Sequence, residues 1–359
     1  MASNSFGTVF KITTWGESHG IAVGVVIDGC PAGVEIEEKD ISEALAFRAP
    51  GKSRYTSPRE ERDHPRILSG IFEGKTTGAP ICISIDNQDA DSTKYEGIKE
   101  ILRPGHANYT YLEKYGIFDY RGAGRASARE TACRVAAGAV AKKLLSYRGI
   151  EVIAYIKQIG NIQAKIEEVS RKKIRENPLF CPDEEASFLM QTLLEKIIAE
   201  GDSVGGTVEF IGLSLPVGLG DPVYQKLEAS LAYAMMSIPA AKGFEIGEGF
   251  DSCCMQGSEH NDLFIQEKGR IITKTNHAGG ILGGISNGMP LVGRVAFKPA
   301  SSIRKKQNTL LSSGESISFA LPEGSRHDPC VAIRAVPVVE AMVALVLADA
   351  VLCNRCVKV

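Results

Sequence analysis

Asp119-Tyr-Arg-Gly-Ala-Gly-Arg-Ala-Ser-Ala-Arg-Glu-Thr131, running straight into Ala132-Cys-Arg-Val-Ala-Ala-Gly-Ala-Val-Ala-Lys-Lys-Leu-Leu145, holds the clearest helix signal in the chain. Ser127-Ala-Arg-Glu130 has the spacing of a capping box, in which the serine oxygen accepts from a backbone N–H and the glutamate reaches back. A helix is expected over residues 127–145. Its many alanines and Gly138 give it a thin surface that neighbours can approach closely. Ahead of it, Gly122 and Gly124 open the backbone beside Arg121, Arg125 and Arg129. The free N–H groups of the helix start make this end a ready anion site.

Outward from that helix, residues 9–14 and 21–27 read as strands joined by Gly16-Glu-Ser-His-Gly20. A short helix is expected at 40–47, capped by Asp40 or Ser42, and a strand at 81–85. Residues 103–124 read as irregular and carry Tyr109, Tyr111, Tyr115, Phe118 and Tyr120. Strands follow at 152–156 and 207–213, flanking a charged segment at about 160–203 with helical periodicity at 188–198. A helix at 221–236, strands at 271–274 and 291–297, and a last helix at 337–352 complete the pattern, with Pro337 suited to a first turn. Strands and helices do not alternate regularly, which argues against a doubly wound parallel sheet. One α+β domain over residues 1–359 is expected, with the charged segment as a solvated periphery.

The 359 residues are 44% hydrophobic and 23% charged, with 41 basic against 43 acidic side chains and a net charge of -2. That balance gives no support to a general nucleic-acid or membrane-surface binder. The longest apolar run, near 336–352, is interrupted by Glu340 and Asp349 and is shorter than the roughly 20 residues of a membrane span. It reads as a buried helix. Nine scattered cysteines and no secretory signal pattern after Met1 point to the cytoplasm, with free thiols. Cys353-x-x-Cys356 lacks a second pair and reads as two reduced thiols rather than a metal site. The 37 glycines exceed the ~7% of an average protein. They cluster beside His, Arg, Ser and Asn, where a backbone must turn sharply or approach a ligand.

Two nucleotide motifs come close and fail. Ala46 to Ser53 nearly spells a P-loop, but Ala46 takes the first glycine position and the preceding residues look helical. Gly122 to Ser127 nearly spells a dinucleotide fingerprint, but Ser127 replaces the last glycine and no strand leads in. What remains is cationic, glycine-flanked loops: Arg48, Lys52, Arg54, Arg59, Arg62 and Arg66; then Arg103, His106, Arg121, Arg125, Arg129 and Arg134; then Arg326, His327 and Arg334. The arginine fork suits phosphate and carboxylate, so small polyanions are the expected ligands. Residues 59–66, where Glu60, Glu61 and Asp63 alternate with arginines, read as a solvated charged face. His19 between glycines and His106 in Arg-Pro-Gly-His are the candidate acid–base groups. Asp349, late in an apolar helix, gains nothing from the helix dipole and either faces water or has a task.

Eight stretches in order resemble the chorismate synthase family: Thr14-Trp-Gly-Glu-Ser-His-Gly20; Arg48-Ala-Pro-Gly-Lys-Ser-Arg54; Arg103-Pro-Gly-His106; residues 119–131 with Arg134-Val-Ala-Ala-Gly138; Ser237-Ile-Pro-Ala-Ala-Lys-Gly243; Thr275-Asn-His-Ala-Gly-Gly-Ile-Leu-Gly-Gly-Ile-Ser286; Phe297-Lys-Pro-Ala-Ser-Ser-Ile303; and Arg326-His-Asp-Pro-Cys-Val-Ala-Ile-Arg334. The resemblance covers about residues 7–352. It implies a β-α-β sandwich, with antiparallel sheets around a central helical layer, assembled as a homotetramer. It also implies anti 1,4-elimination of phosphate from 5-enolpyruvylshikimate 3-phosphate, with obligatory reduced FMN and no net redox change.

By the family pattern, His19 serves the leaving phosphate, His106 sets the protonation of the flavin ring, and Asp349 assists at flavin N5. Flavin contacts map to Arg125, Ala126, Ser127, Pro239, Ala240, Gly283, Lys298, Pro299, Ala300, Ser301, Ser302 and Arg326. Arg48, Arg54, Arg129, Arg134 and Arg334 are the candidates for substrate anions. The resemblance leaves two sources of reduced flavin open, a separate flavin reductase or NADPH at the enzyme itself. The chain departs from the pattern at Asn108 (usually Asp), Ala123 (Gly), Ala126 (Ser) and Ala350 (His). Rival readings are a flavin reductase or another flavin-dependent lyase, and an RNA- or anion-binding protein using Tyr109, Tyr111 and Tyr120 as stacking platforms. The net charge of -2 and the isolated His19 count against the binding protein.

Overall fold

Strands Lys11–Trp15, Ala22–Asp28 and Ile81–Asp86 bury Ile12, Val23, Val25, Ile27, Ile81, Ile83 and Ile85. The alternation in the first strand and the continuous burial in the second mark a sheet with one face on the core and its middle fully covered. The computed structural model describes residues 3–49, 51, 54–56, 63–88, 93–321 and 328–358. Its first five-stranded sheet is antiparallel, in the order Ser5–Phe6, Lys11–Trp15, Ala22–Asp28, Ile81–Asp86, Pro65–Ile67. A second antiparallel five-stranded sheet runs Ile162–Gln163, Glu151–Ile159, Gly206–Leu213, Leu291–Phe297, Ala241–Ile246.

The helices are α1 (Glu38–Arg48), α2 (Asn108–Tyr115), α3 (Thr131–Ser146), α4 (Arg171–Glu176), α5 (Glu184–Ala199), α6 (Leu227–Met236), α7 (Gly257–His260) and α8 (Val331–Cys353). Helix α3 packs on Ala22–Asp28 of the first sheet, α8 packs on Glu151–Ile159 and Gly206–Leu213 of the second, and α3 and α8 pack on each other. The expected sandwich, sheet on helices on sheet, is the observed one. Gly138 is where α3 and α8 touch: a Cβ there would stand 2.4 Å from the Ala341 Cβ. Thr131 and Arg334, at the helix starts, both meet Arg48. Arg148 and Arg355, past the helix ends, line one cavity of about 630 Å³. The two central helices therefore run parallel.

Several expected boundaries shift. Helix α8 begins at Val331, so Pro337 lies inside it rather than in its first turn. Burial of Ala332, Ile333, Ala335 and Val336 outweighs the hydrogen bond that proline removes. This helix is long and apolar enough to cross a membrane, yet 78% of its most apolar window is buried against protein. Helix α1 is capped by Glu37, with Asp40 reaching back as the third residue. Helix α2 falls where an irregular segment was expected, and α6 starts at Leu227 rather than 221. The charged segment holds α4 and α5; α5 buries Ala186, Ser187, Met190 and Leu194 and leaves Phe188 and Leu189 exposed. A three-stranded sheet unseen in the sequence joins Ile101–Leu102 to Gln307–Leu311 and Ser316–Phe319. It delivers the chain directly into Arg103-Pro-Gly-His106.

Candidate functional site

The residues before α3 form two tight turns, Arg121–Ala126 and Ala128–Glu130. Gly122, Ala123 and Gly124 are all left-handed, at φ 58, 71 and 50. Only glycine takes that conformation without strain, so Ala123 costs about 1–2 kcal/mol. Gly122 leaves room for His19: a Cβ on it would stand 2.4 Å from the His19 Cδ2. Ser127 Oγ accepts from the Arg129 N–H (3.3 Å), as expected. The reciprocal half of the capping box does not form. The Glu130 carboxylate instead accepts from Thr14 Oγ1 (2.9 Å) and Arg134 Nε (2.9 Å), because a buried carboxylate gains more from a guanidinium than from an amide.

His19 is buried at 8% exposure in the loop between the first two long strands, with the Tyr95 ring edge-on at 5.2 Å. Beside its loop lies a buried cluster of charge. Asp63 is wedged between Arg48, whose Nη1 is 3.3 Å from Oδ2, and Arg129, whose Nη1 bonds Oδ1. Their side chains are 1%, 3% and 4% exposed. Arg48 also donates to Thr131 Oγ1 (3.2 Å) and the Ala128 carbonyl (2.7 Å). Arg129 donates to Asn87 Oδ1 (2.8 Å) and the Asp86 carbonyl (3.2 Å). Asp63 thus draws two guanidinium groups to the N-terminal end of α3, the positive end of its dipole. The sequence reading put Asp63 on a solvated face; the two arginines pull it inside. Lys52, Arg59 and Arg62 lie outside the described residues.

The other histidine, His106, pairs with Arg103, and the Phe118 ring stands edge-on to it at 6.2 Å. Burial, opposed by the nearby Tyr95, holds the Arg103 guanidinium below its ordinary pKa. Arg103 Nη2 lies 2.6 Å from His106 Nε2, and the Asn108 N–H donates to His106 Nδ1 (3.2 Å). The Asn108 side chain turns away to the Ile101 carbonyl (2.7 Å), so an aspartate there would lose that donor. Gly105 packs on Ser301, and its carbonyl accepts from Lys298 Nζ (3.2 Å). The Lys298 N–H in turn donates to the Ala240 carbonyl (3.0 Å). His106, residues 298–302 and Ala240 thus form one wall. Burial first, and then the charge of Lys242, lower the pKa of Lys298. Gly283, at φ 61 in a two-residue hairpin, has open space where a Cβ would point.

The remaining expected residues are already engaged. Arg125 donates to the Gly16 and Thr14 carbonyls and to Asn4 Oδ1, tying its turn to the His19 loop. Arg134 holds Glu130 and Ser237, and Arg334 holds Asp328 (2.9 Å) and the Arg48 carbonyl. Arg54 is largely exposed and pairs with Glu195 of α5. Asp349 accepts from the N–H groups of Thr8 (2.8 Å), Val9 (2.7 Å) and Phe10 (2.8 Å). Arg326 and His327 lie outside the described residues. Sequence reasoning missed Asp63, Tyr95 and Asn87. Asp63 was hidden among surface-like charges, and the other two carry no motif of their own.

The family model described as chorismate synthase matches residues 10–352. The chain belongs to the chorismate synthase family. A chorismate synthase of Protochlamydia amoebophila is 60% identical over 99% of this chain and 99% of its own length. Those of Porphyromonas gingivalis and Methanosarcina mazei are each 53% identical, covering 98% and 97% of this chain and 96% of their own. A crystal structure of a chorismate synthase superposes with a TM-score of 0.76 at 32% identity, over 95% of this chain and 91% of the other. Family membership makes the chain a carbon–oxygen lyase acting on phosphate (EC 4.2.3.5) in the shikimate pathway. It also names 5-enolpyruvylshikimate 3-phosphate as the substrate.

Proposed function

We propose that the chain removes phosphate from 5-enolpyruvylshikimate 3-phosphate by anti 1,4-elimination, with reduced FMN and no net redox change. The observation that carries this is a buried histidine, His19, whose loop lies beside two buried arginines, Arg48 and Arg129, gathered on Asp63. A substrate with a phosphate and two carboxylates needs such a cationic seat, and a departing phosphate needs a proton or its equivalent.

The wall of His106, residues 298–302 and Ala240 fits a flavin with a phosphate tail. Lys298 is a partly buried cation with the charge of Lys242 close by, and Gly283 leaves open backbone. Arg125, Ala126, Ser127, Pro239, Ala240, Gly283, Lys298, Pro299, Ala300, Ser301, Ser302 and Arg326 would hold the cofactor. Reduced FMN, when bound, supplies transient electron density for breaking the C3–O bond. Arg48 and Arg129 seat the substrate anions, with Arg54, Arg134 and Arg334 around them. His19 delivers a proton to the phosphate oxygen. His106 exchanges a proton at the flavin ring, steadied by Arg103 and the Asn108 amide. Asp349 orders the turn at Thr8, Val9 and Phe10 and assists proton removal from that end of the site.

The chain is read as one domain in a homotetramer, in the cytoplasm. Exposed Leu263, Phe264 and Ile271 supply apolar surface for a subunit contact. NADPH at the enzyme, or a separate reductase, regenerates the flavin.

Anaerobic turnover with chemically reduced FMN tests this reading. Chorismate and phosphate should appear in equal amounts, and neither with oxidised FMN. His19→Asn and His106→Asn should each lower turnover by about 10²–10⁴-fold while FMN still binds. Full turnover in either variant sinks that residue's role, and no product from folded, FMN-bound protein sinks the reaction. Adding NADPH in place of the chemical reductant then tests intrinsic flavin reduction.

A further inference from the structure

The residue just past strand Ile81–Asp86 has no part in the chemistry above, yet it touches both halves of the substrate site. The Asn87 backbone N–H donates to the Ile21 carbonyl (3.0 Å). Its side-chain amide donates to the carbonyls of Glu17 (3.0 Å) and Gly20 (2.8 Å), which bracket Ser18 and His19. Its Oδ1 accepts from Arg129 Nε (2.8 Å). The partners fix which way the amide points, because carbonyls can only accept and a guanidinium can only donate.

We propose that Asn87 is a positioning residue that clamps the His19 loop to Arg129, and so sets the distance between the proton donor and the seat of the substrate anions. No other side chain of this size offers two donors and an acceptor in one planar group. Aspartate keeps the acceptor for Arg129 but turns bare oxygens toward two carbonyls. Glutamine has the same head but one more methylene, which displaces it from both partners. Further ties on the loop run along the backbone: the Ser18 N–H to the Gly124 carbonyl at 3.4 Å, and the Gly20 N–H to the Glu17 carbonyl at 3.1 Å. The first is long, and the second lies within the loop itself. Arg125 holds the start of the loop at the Gly16 carbonyl (3.2 Å), and Asn87 ties its Glu17 and Gly20 carbonyls to Arg129. Displacement of a reacting group by about 1 Å can cost 10²-fold in rate.

The proposal rests on the reading that His19 serves the leaving phosphate, so the experiment separates the two. Asn87→Asp, His19→Asn and the double variant are compared with the parent in kcat, KM, FMN affinity and Tm. The ring resonances of ¹⁵N-histidine-labelled protein are recorded as well, with His19 assigned by its loss in His19→Asn. Asn87→Asp should lower kcat by about 10- to 100-fold, leave FMN affinity unchanged and shift the His19 resonances. In the His19→Asn background it should cost nothing further, since the two act as a unit. An equal loss in both backgrounds, or unmoved His19 resonances in folded Asn87→Asp, overturns the proposal. Full turnover of His19→Asn with His19 resonances that still shift in Asn87→Asp sinks the catalytic reading of His19 and leaves the clamp standing. If Asn87→Asp does not fold, Asn87→Ala, which adds no charge, goes through the same comparison.

Discussion

Asp349 shows how a single carboxylate can have partners that its surroundings in sequence do not announce. Late in an apolar helix it has either water or a task before it, and in the structure its two oxygens accept from the N–H groups of Thr8, Val9 and Phe10. An asparagine could serve only one of those oxygen positions and would set an N–H against an N–H at the other. We expect Asp349→Asn to lower unfolding stability by about 1–3 kcal/mol, measured in urea without flavin. An unchanged urea midpoint would leave the carboxylate with catalysis alone. His19, His106 and Arg129 stand out as candidates because glycines and arginines around them form local motifs. Asn87 does not, since its partners are two main-chain carbonyls and a guanidinium 42 residues away. Ala123 was visible as a departure from the family, but its left-handed φ was not.

Among the elements, α3 was the most legible and its contact with α8 the least. Alanine and glycine content announced close packing, and the structure puts Gly138 against Ala341 with no space for a methyl group. The intruding atoms there are the Cβ and the backbone Cα of a buried helix, which cannot swing aside. Gly138→Ala should therefore destabilise by about 1–3 kcal/mol despite its better helix propensity; a rise in Tm would mean that the helices can part without cost. Helix α2 escaped detection because it has no apolar stripe. Asn108 is its one buried residue, and its aromatic rings pack on one another and on Phe118. Helix α8 was placed six residues late because Pro337 usually marks a first turn, whereas tertiary burial carries the helix through it.

At the scale of the molecule, Glu340 joins the layers. It is buried in α8 and pairs with Lys142 of α3 and with Arg171 and Arg175 of α4. Burial alone would raise its pKa, but Lys142 and Arg171 override that and hold it below the usual 4.5. A depressed folded-state value contributes stability above the unfolded pKa, and that contribution is lost as pH falls through the folded one. The parent should therefore lose stability below about pH 4.5 through this group, while Glu340→Gln should lack that component and be about 3–5 kcal/mol weaker at neutral pH. Parallel stability–pH curves for the two proteins would refute it. The sequence by itself determined the α+β class and the family, and it marked the two histidines and most of the arginines as candidates, because each is written in local spacing and in motifs only a few residues long. The tertiary structure alone decided that Asp63 lies under two arginines, that Asp349 holds the start of the chain, that Glu130 abandons its cap, and that Asn87 ties His19 to Arg129. Those contacts join residues far apart in the chain, and many run to backbone amides and carbonyls. Every residue carries such groups, so only packing selects which of them meet.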